Sequence, residues 1–192
     1  MKSVLISIQP KWCELVASGK KTVEVRKTKP KIETPFKCYI YETKDAHFEH
    51  IGVHYADGQD FIHHIGKVIG EFVCDKIYDI KPHFDTPTFP NQYICGWEYG
   101  EEHACLSFEE LTSYLNGKQG YAWHISNLVI YDKPRELSEF ERACPDNVRS
   151  CAMCRHSGYS GMKCTPLKRP PQSWCYVEEM VGDVGCTRTT TK

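Results

Sequence analysis

Short runs of β-forming residues, divided by turn signals and broken by only two helical stretches, confine this chain to a small, sheet-dominated α+β fold. Residues 4–8 (VLISI), 22–26 (TVEVR), 36–43 (FKCYIYET), 66–80 and 121–131 have strand composition. The spacing predicts one long strand over 66–80, bent at Gly70, and another continuous strand over 121–131. Pro10 suits the first turn of a helix that runs through Trp12, Leu15 and Val16 and stops at Ser18-Gly19. Ser107 caps a second helix, with Glu110 three residues later and Gly117 at its end. Strands outnumber helices and no βαβ alternation persists, so a small mixed barrel with flanking helices is expected rather than a doubly wound sheet.

The 192 residues are enough for one core and a small appendage. A net charge of −1 excludes a polycation that coats nucleic acid indiscriminately. Charge is nevertheless unevenly spread: residues 1–31 hold eight lysines and arginines against Glu14 and Glu24. No apolar stretch has the length of a membrane span, and residues 1–8 lead straight into Gln9-Pro10 without the pattern of a signal peptide, so a cytoplasmic protein without membrane contact is expected. Residues 44–65 have weak periodicity and read as a variable insertion whose histidines (47, 50, 54, 63 and 64) belong to surface loops. Residues 81–103, rich in proline and aromatics, form a long connection suited to the rim of a binding cleft.

Residues 19–26, GKKTVEVR, concentrate the chemistry. Gly19 makes a turn, Lys20 and Lys21 follow in it, and the period of two then sends Thr22, Glu24 and Arg26 to one face and Val23 and Val25 to the other. With the valines buried, the charged residues are expected to point together into a cleft or solvent. Strand, Gln-Pro helix, this octet, and later strands ending in Trp123-His124-Ile125 form an order that resembles the ASCH domain family, a branch of the PUA-like β-barrels. Its Gly-x-Lys-x-x-Glu-x-Arg signature is matched by Gly19, Lys21, Glu24 and Arg26, and the resemblance covers most of residues 1–132. It implies a barrel with a cleft beside the first helix that binds RNA or a modified nucleotide or nucleoside, most often in phage and prokaryotic proteins. Within the superfamily, amidohydrolases that remove an acyl group from the N4 position of cytidine carry a similar stretch, matched here at Lys21 and Thr22. Glu24 stands where those enzymes have threonine, and Glu71 is a candidate for their later glutamate. Other family members are associated with ribonuclease activity.

As a binding site, Lys20, Lys21 and Arg26 would offer charge and a fork of donors to phosphate, while Glu24 orients Arg26 or accepts from a base amino group. Trp12 and Trp123 would stack on an unpaired base. As a hydrolytic site, Lys21 would act as base and Glu24 would hold or protonate the leaving amine, with Arg26 beside an oxyanion. The break at Glu24 puts binding ahead of catalysis. A plain surface ion-pair strip, worth ~0–1 kcal/mol, is the remaining reading.

Six of the eleven cysteines fall between residues 144 and 186. Without an export signal, such a cluster favours metal over disulfides. Cys151 and Cys154 form a Cys-x-x-Cys turn, which Cys164 and Cys175 complete as a four-sulfur structural zinc site; Cys144 or His156 would substitute for one of them. The expected organisation is a barrel domain over 1–143, a zinc-stapled extension over 144–186 and a disordered tail over 187–192. A zinc-stabilised adaptor for an unknown protein partner is the alternative to nucleic-acid function.

Overall fold

A computed structural model describes residues 2–45, 52–54, 60–83, 92–95, 103–143, 166–179 and 187–189. In chain order the elements are β1 (Lys2–Ile8), α1 (Pro10–Ala17), β2 (Val23–Arg26), β3 (Phe36–Glu42), β4 (Gly52–His54), β5 (Asp60–Ile62), β6 (Val68–Cys74), β7 (Ile77–His83), β8 (Gln92–Cys95), α2 (Phe108–Leu115), β9 (Gly120–His124), β10 (Ser126–Arg135), β11 (Trp174–Glu178) and β12 (Thr187–Thr189). The strands form a six-stranded sheet ordered β11-β1-β3-β6-β10-β12, a four-stranded sheet ordered β2-β9-β7-β8, and the β4-β5 hairpin. Among the described strands only β1 and β3 pair in parallel. The fold is thus the expected α+β, but the strands make separate sheets, with no closed ring of hydrogen-bonded strands among the described residues.

Two of the predicted strands are each divided between sheets. The 66–80 run leaves the large sheet after Cys74, turns at Asp75-Lys76 and enters the small sheet as β7. The 121–131 run crosses in the opposite direction at Ile125. Neither crossing has a glycine or proline to mark it. The bend at Gly70 is present: the β3–β6 register slips beside it, and a Cβ there would lie 2.4 Å from the Val129 carbonyl oxygen.

Between the sheets, Val4, Ile6 and Ile8 pack with Cys38, Ile40, Phe72 and Trp123. Trp123 is fully buried, with Phe36 at its edge (centroids 5.9 Å) and Trp174 tilted against it at the same distance. A second cluster lies on the outer side of the small sheet, where Leu111 and Leu115 of α2 cover Val23, Val25 and Ala122. The third packs Phe140 and Leu167 onto the outer side of the large sheet, against Leu5, Tyr39 and Val177. Burying one such large apolar side chain contributes about 1.5–3 kcal/mol.

Residues 174–178, in the region expected to form the extension, are an edge strand of the large sheet: β11 pairs antiparallel with β1 from Lys2↔Glu178 to Ile6↔Trp174. The Trp174 indole donates to Thr28 Oγ1 at 3.0 Å, and the Lys31 amide donates to the Tyr176 hydroxyl at 2.7 Å. The histidine insertion is also more structured than expected. His63 is buried, its Nδ1 2.5 Å from Glu42 Oε1, while the His64 amide donates to Glu42 Oε2. A buried carboxylate at the end of β3 captured what periodicity assigned to a surface loop. His47, His50 and Cys144 to Cys164 lie outside the described residues. No described helix is long and apolar enough to cross a membrane.

Candidate functional site

The octet begins where α1 stops. Gly19, at φ +70°, takes the left-handed conformation that ends the helix, with its amide on the Val16 carbonyl. Lys20 stays exposed in the turn. Lys21 folds back under α1, only 2 % exposed, donates to the Ala104 carbonyl and lies 5.0 Å from the Trp12 ring centroid. The Thr22 hydroxyl is occupied by His103 Nδ1 at 2.8 Å.

Alternation in β2 then operates with both faces covered. Val23 and Val25 face α2, while Glu24 and Arg26 face the interior, in register with Trp123 and Tyr121 of β9. Glu24 and Arg26 are 6 % and 8 % exposed. Glu24 Oε1 lies 3.0 Å from Arg26 Nη2, and its Oε2 lies 3.5 Å from Lys21 Nζ. Arg26 Nη2 also donates to the Ser7 carbonyl at 2.6 Å, which ties the small sheet to the large one. Glu24 Oε2 and Arg26 Nε are buried without a hydrogen-bond partner. Beneath them, burial pushes the Cys13 thiol well up, with Glu42 and Glu24 adding to the effect and Arg26 opposing it.

These charges stand at the wall of a cleft of about 790 Å³. The end of β1 contributes Ser7 and Ile8, followed by Gln9, and α1 contributes Trp12. The opposing contribution comes from α2: Glu109, Glu110, Ser113 and Tyr114. Gln172 and Ser173, just before β11, also line it; Ser7 holds that segment through its amide to the Ser173 carbonyl and its hydroxyl to the Pro171 carbonyl. At the rim Lys11 Nζ reaches Glu110 Oε1 at 3.5 Å, linking the two helices.

The structure therefore brings together Trp12, Lys21, Glu24 and Arg26, with Gly19 shaping the turn. It does not bring Trp123 to the cleft: its ring is core, closed to base stacking. Glu71 is on the outer side of the large sheet, where it accepts from Lys37 Nζ at 2.9 Å and from the Tyr131 hydroxyl at 2.6 Å. Tyr114 was not foreseen. Burial pushes its hydroxyl's pKa up, with the Arg26 guanidinium opposing and Glu24 adding to the effect. Its signal was a helical one: Glu110, Ser113 and Tyr114 flank the buried Leu111–Leu115 stripe.

The sequence profile of the ASCH domain matches residues 6–135, two thirds of the chain. The chain belongs to the ASCH domain family. This is a PUA-like family usually considered RNA-binding. Among solved structures, ASCH from Zymomonas mobilis is similar at 19% identity and a TM-score of 0.51, over 92% of this chain and 88% of that one. A serine-to-alanine variant of that protein gives 19% identity and 0.52, over 92% and 89%. A tyrosine-to-phenylalanine variant gives 20% and 0.51, over 93% and 92%. At such identities the likeness speaks for the fold. No curated protein matches the chain.

Cys175, the one predicted zinc ligand within the described residues, is a half-buried free thiol in β11. It packs beside the Leu5–Tyr39–Phe140 cluster, and burial pushes its pKa up, with Arg142 opposing. Among the described residues no group of three or more histidines, cysteines and carboxylates is placed to hold a metal.

Proposed function

We propose that this ASCH domain binds RNA or a modified nucleotide in the cleft between α1 and α2. The observation that carries the reading is the buried Lys21–Glu24–Arg26 set in the wall of that cleft. Taking each charge out of water costs several kcal/mol (about that per ion), so a site without a ligand-directed role gains more from apolar side chains there. Trp12 adds an aromatic face and the exposed lysines around it add attraction for phosphate. Fluorescence anisotropy with single-stranded RNA tests the reading. Binding should weaken as salt rises and again in Lys21→Ala, with circular dichroism confirming that the variant folds. Indifference to both would sink it.

One distance supports a second reading. Lys21 Nζ and Glu24 Oε2, 3.5 Å apart and buried, are an ammonium–carboxylate pair of the kind that moves protons in amide or phosphodiester hydrolysis. On that reading Lys21→Ala and Glu24→Gln abolish turnover of an N4-acylated cytidine or of RNA while binding survives. Turnover unchanged by either substitution removes it.

For the extension, we propose structural zinc held by Cys151, Cys154 and Cys164. The apolar surroundings of Cys175 make Cys144 or His156 the better fourth ligand, since a ligating sulfur must be a thiolate. Metal analysis tests this: about one equivalent of zinc, retained in Cys175→Ser and lost in Cys154→Ser, is expected. Cys13, Cys38, Cys74, Cys105 and Cys175 are free thiols, which fits a reducing, cytoplasmic setting.

A further inference from the structure

We infer that the cleft admits the uncharged, planar base of a nucleoside and keeps phosphate groups outside, at the lysines of its rim, with Tyr114 as a binding residue. This rests on the nucleic-acid reading above and specifies which part of the ligand the cleft holds.

Charge decides against phosphate inside. The described lining carries two cations, Lys21 and Arg26, against three carboxylates, Glu24, Glu109 and Glu110. Both cations are already engaged: Glu24 stands 3.0 Å from Arg26 and 3.5 Å from Lys21, and each also donates to a backbone carbonyl. A phosphate entering this space gives up its hydration, finds no cation unmatched by a carboxylate, and meets the acidic first turn of α2. The sequence expectation that Lys21 and Arg26 hold phosphate is thereby revised.

The remaining lining suits a flat heterocycle. Trp12 and Tyr114 enter the cleft from different helices, and Tyr114 is 37% exposed, so its ring retains open surface. Gln9, Ser113 and Gln172 add neutral groups that both donate and accept, as the polar edge of a base requires. Lysines stand at both aromatics on the solvent side: Lys11 Nζ lies 4.3 Å from the Trp12 centroid and Lys27 Nζ lies 4.8 Å from that of Tyr114. Lys27 is exposed, just past β2, where it is free to meet a phosphate of a strand whose base occupies the cleft.

Calorimetry on the full chain, with the four common ribonucleosides, their 5′-monophosphates and pyrophosphate as probes, tests the inference. The best-bound nucleoside should match its monophosphate within about threefold, and its affinity should hold between about 50 and 200 mM salt, where phosphate-dominated binding falls steeply. Pyrophosphate should not displace it. Tyr114→Ala should weaken it by about tenfold, the scale of one lost stacking contact, whereas Tyr114→Phe keeps the ring and stays within about threefold. A monophosphate that binds about tenfold tighter than its nucleoside, or displacement by pyrophosphate, overturns the inference even if Tyr114→Ala fails to fold. RNA binding with no competition by any nucleoside overturns the inference and leaves the proposed function standing. No binding of RNA, nucleosides or nucleotides overturns both.

Discussion

Glu24→Gln isolates the charge at the centre of the site while preserving its shape. In the wild type, Glu24 neutralises Arg26 at 3.0 Å and Lys21 at 3.5 Å, and the three residues are all less than 10 % exposed. The glutamine oxygen still accepts from Arg26. Its amide nitrogen, however, turns a donor toward the Lys21 ammonium, and the two buried cations lose the negative charge that neutralised them and keep uncharged partners such as the carbonyls of Ala104 and Ser7. Removing one partner of a buried ion pair costs about 3–5 kcal/mol, and the retained hydrogen bond puts this case near ~3 kcal/mol. For a chain of this size that corresponds to a fall of about 6–12 °C in melting temperature. Urea denaturation followed by circular dichroism reads the same loss as a lower midpoint with unchanged slope. Asp79→Asn is the internal control: its pair with Lys29, at 3.4 Å, is 45 % exposed on both sides and should contribute only ~0–1 kcal/mol. Equal small effects from the two substitutions would refute the reasoning, because the octet would then behave as a solvated strip.

Four other outcomes follow from the geometry. Ser107→Ala removes the capping-box acceptor for the Glu110 amide and should cost about 1 kcal/mol in urea midpoint analysis. The Ser107 amide holds the Glu110 carboxyl below its usual range, so this contribution is present above the unfolded carboxyl pKa and is lost as pH falls through the folded one; Glu110→Gln should flatten that acid limb of a stability–pH curve. Gly70→Ala drives a methyl to 2.4 Å from the Val129 carbonyl oxygen and should destabilise by about 1–3 kcal/mol, read as a lower thermal midpoint. Burial raises the thiols of Cys13 and Cys38 well above the usual range and that of Cys74 to about 12, so alkylation mapped by mass spectrometry should reach these cysteines only after denaturation.

How much of this was legible in the sequence depended on the range of the interaction. Both helices were readable because their signals are local: Pro10 and Gly19 bound α1, and Ser107, Glu110 and Gly117 bound α2. Alternation in residues 23–26 was equally local. What covers each face was not. The valines meet Leu111 and Leu115, and Arg26 meets the Ser7 carbonyl, so partners from opposite directions along the chain decide that a charged face is interior. His63 is the same case in reverse: its burial is set by Glu42, on another strand, and nothing in its own neighbourhood announces it.

That distinction bears on how the site is built. A strand with one face buried would have offered Glu24 and Arg26 to solvent, where long side chains move freely and a ligand must order them at an entropic cost. Here α2 takes the apolar face, which frees the polar face to be pinned between the sheets by Ala104, Ser7 and its own ion pairs. The same helix then lends its flank, Glu110, Ser113 and Tyr114, to the cleft it has helped to enclose. Loss of α2 packing should therefore disturb ligand contacts and octet geometry together. Leu115 is the residue that joins the two: it is fully buried in the α2–β2 cluster, it is not part of the cleft, and its side chain closes on Gly120. The pinning of Lys21, Glu24 and Arg26 is thus a tertiary property, carried in part by apolar residues such as Leu111 and Leu115 that do not line the cleft.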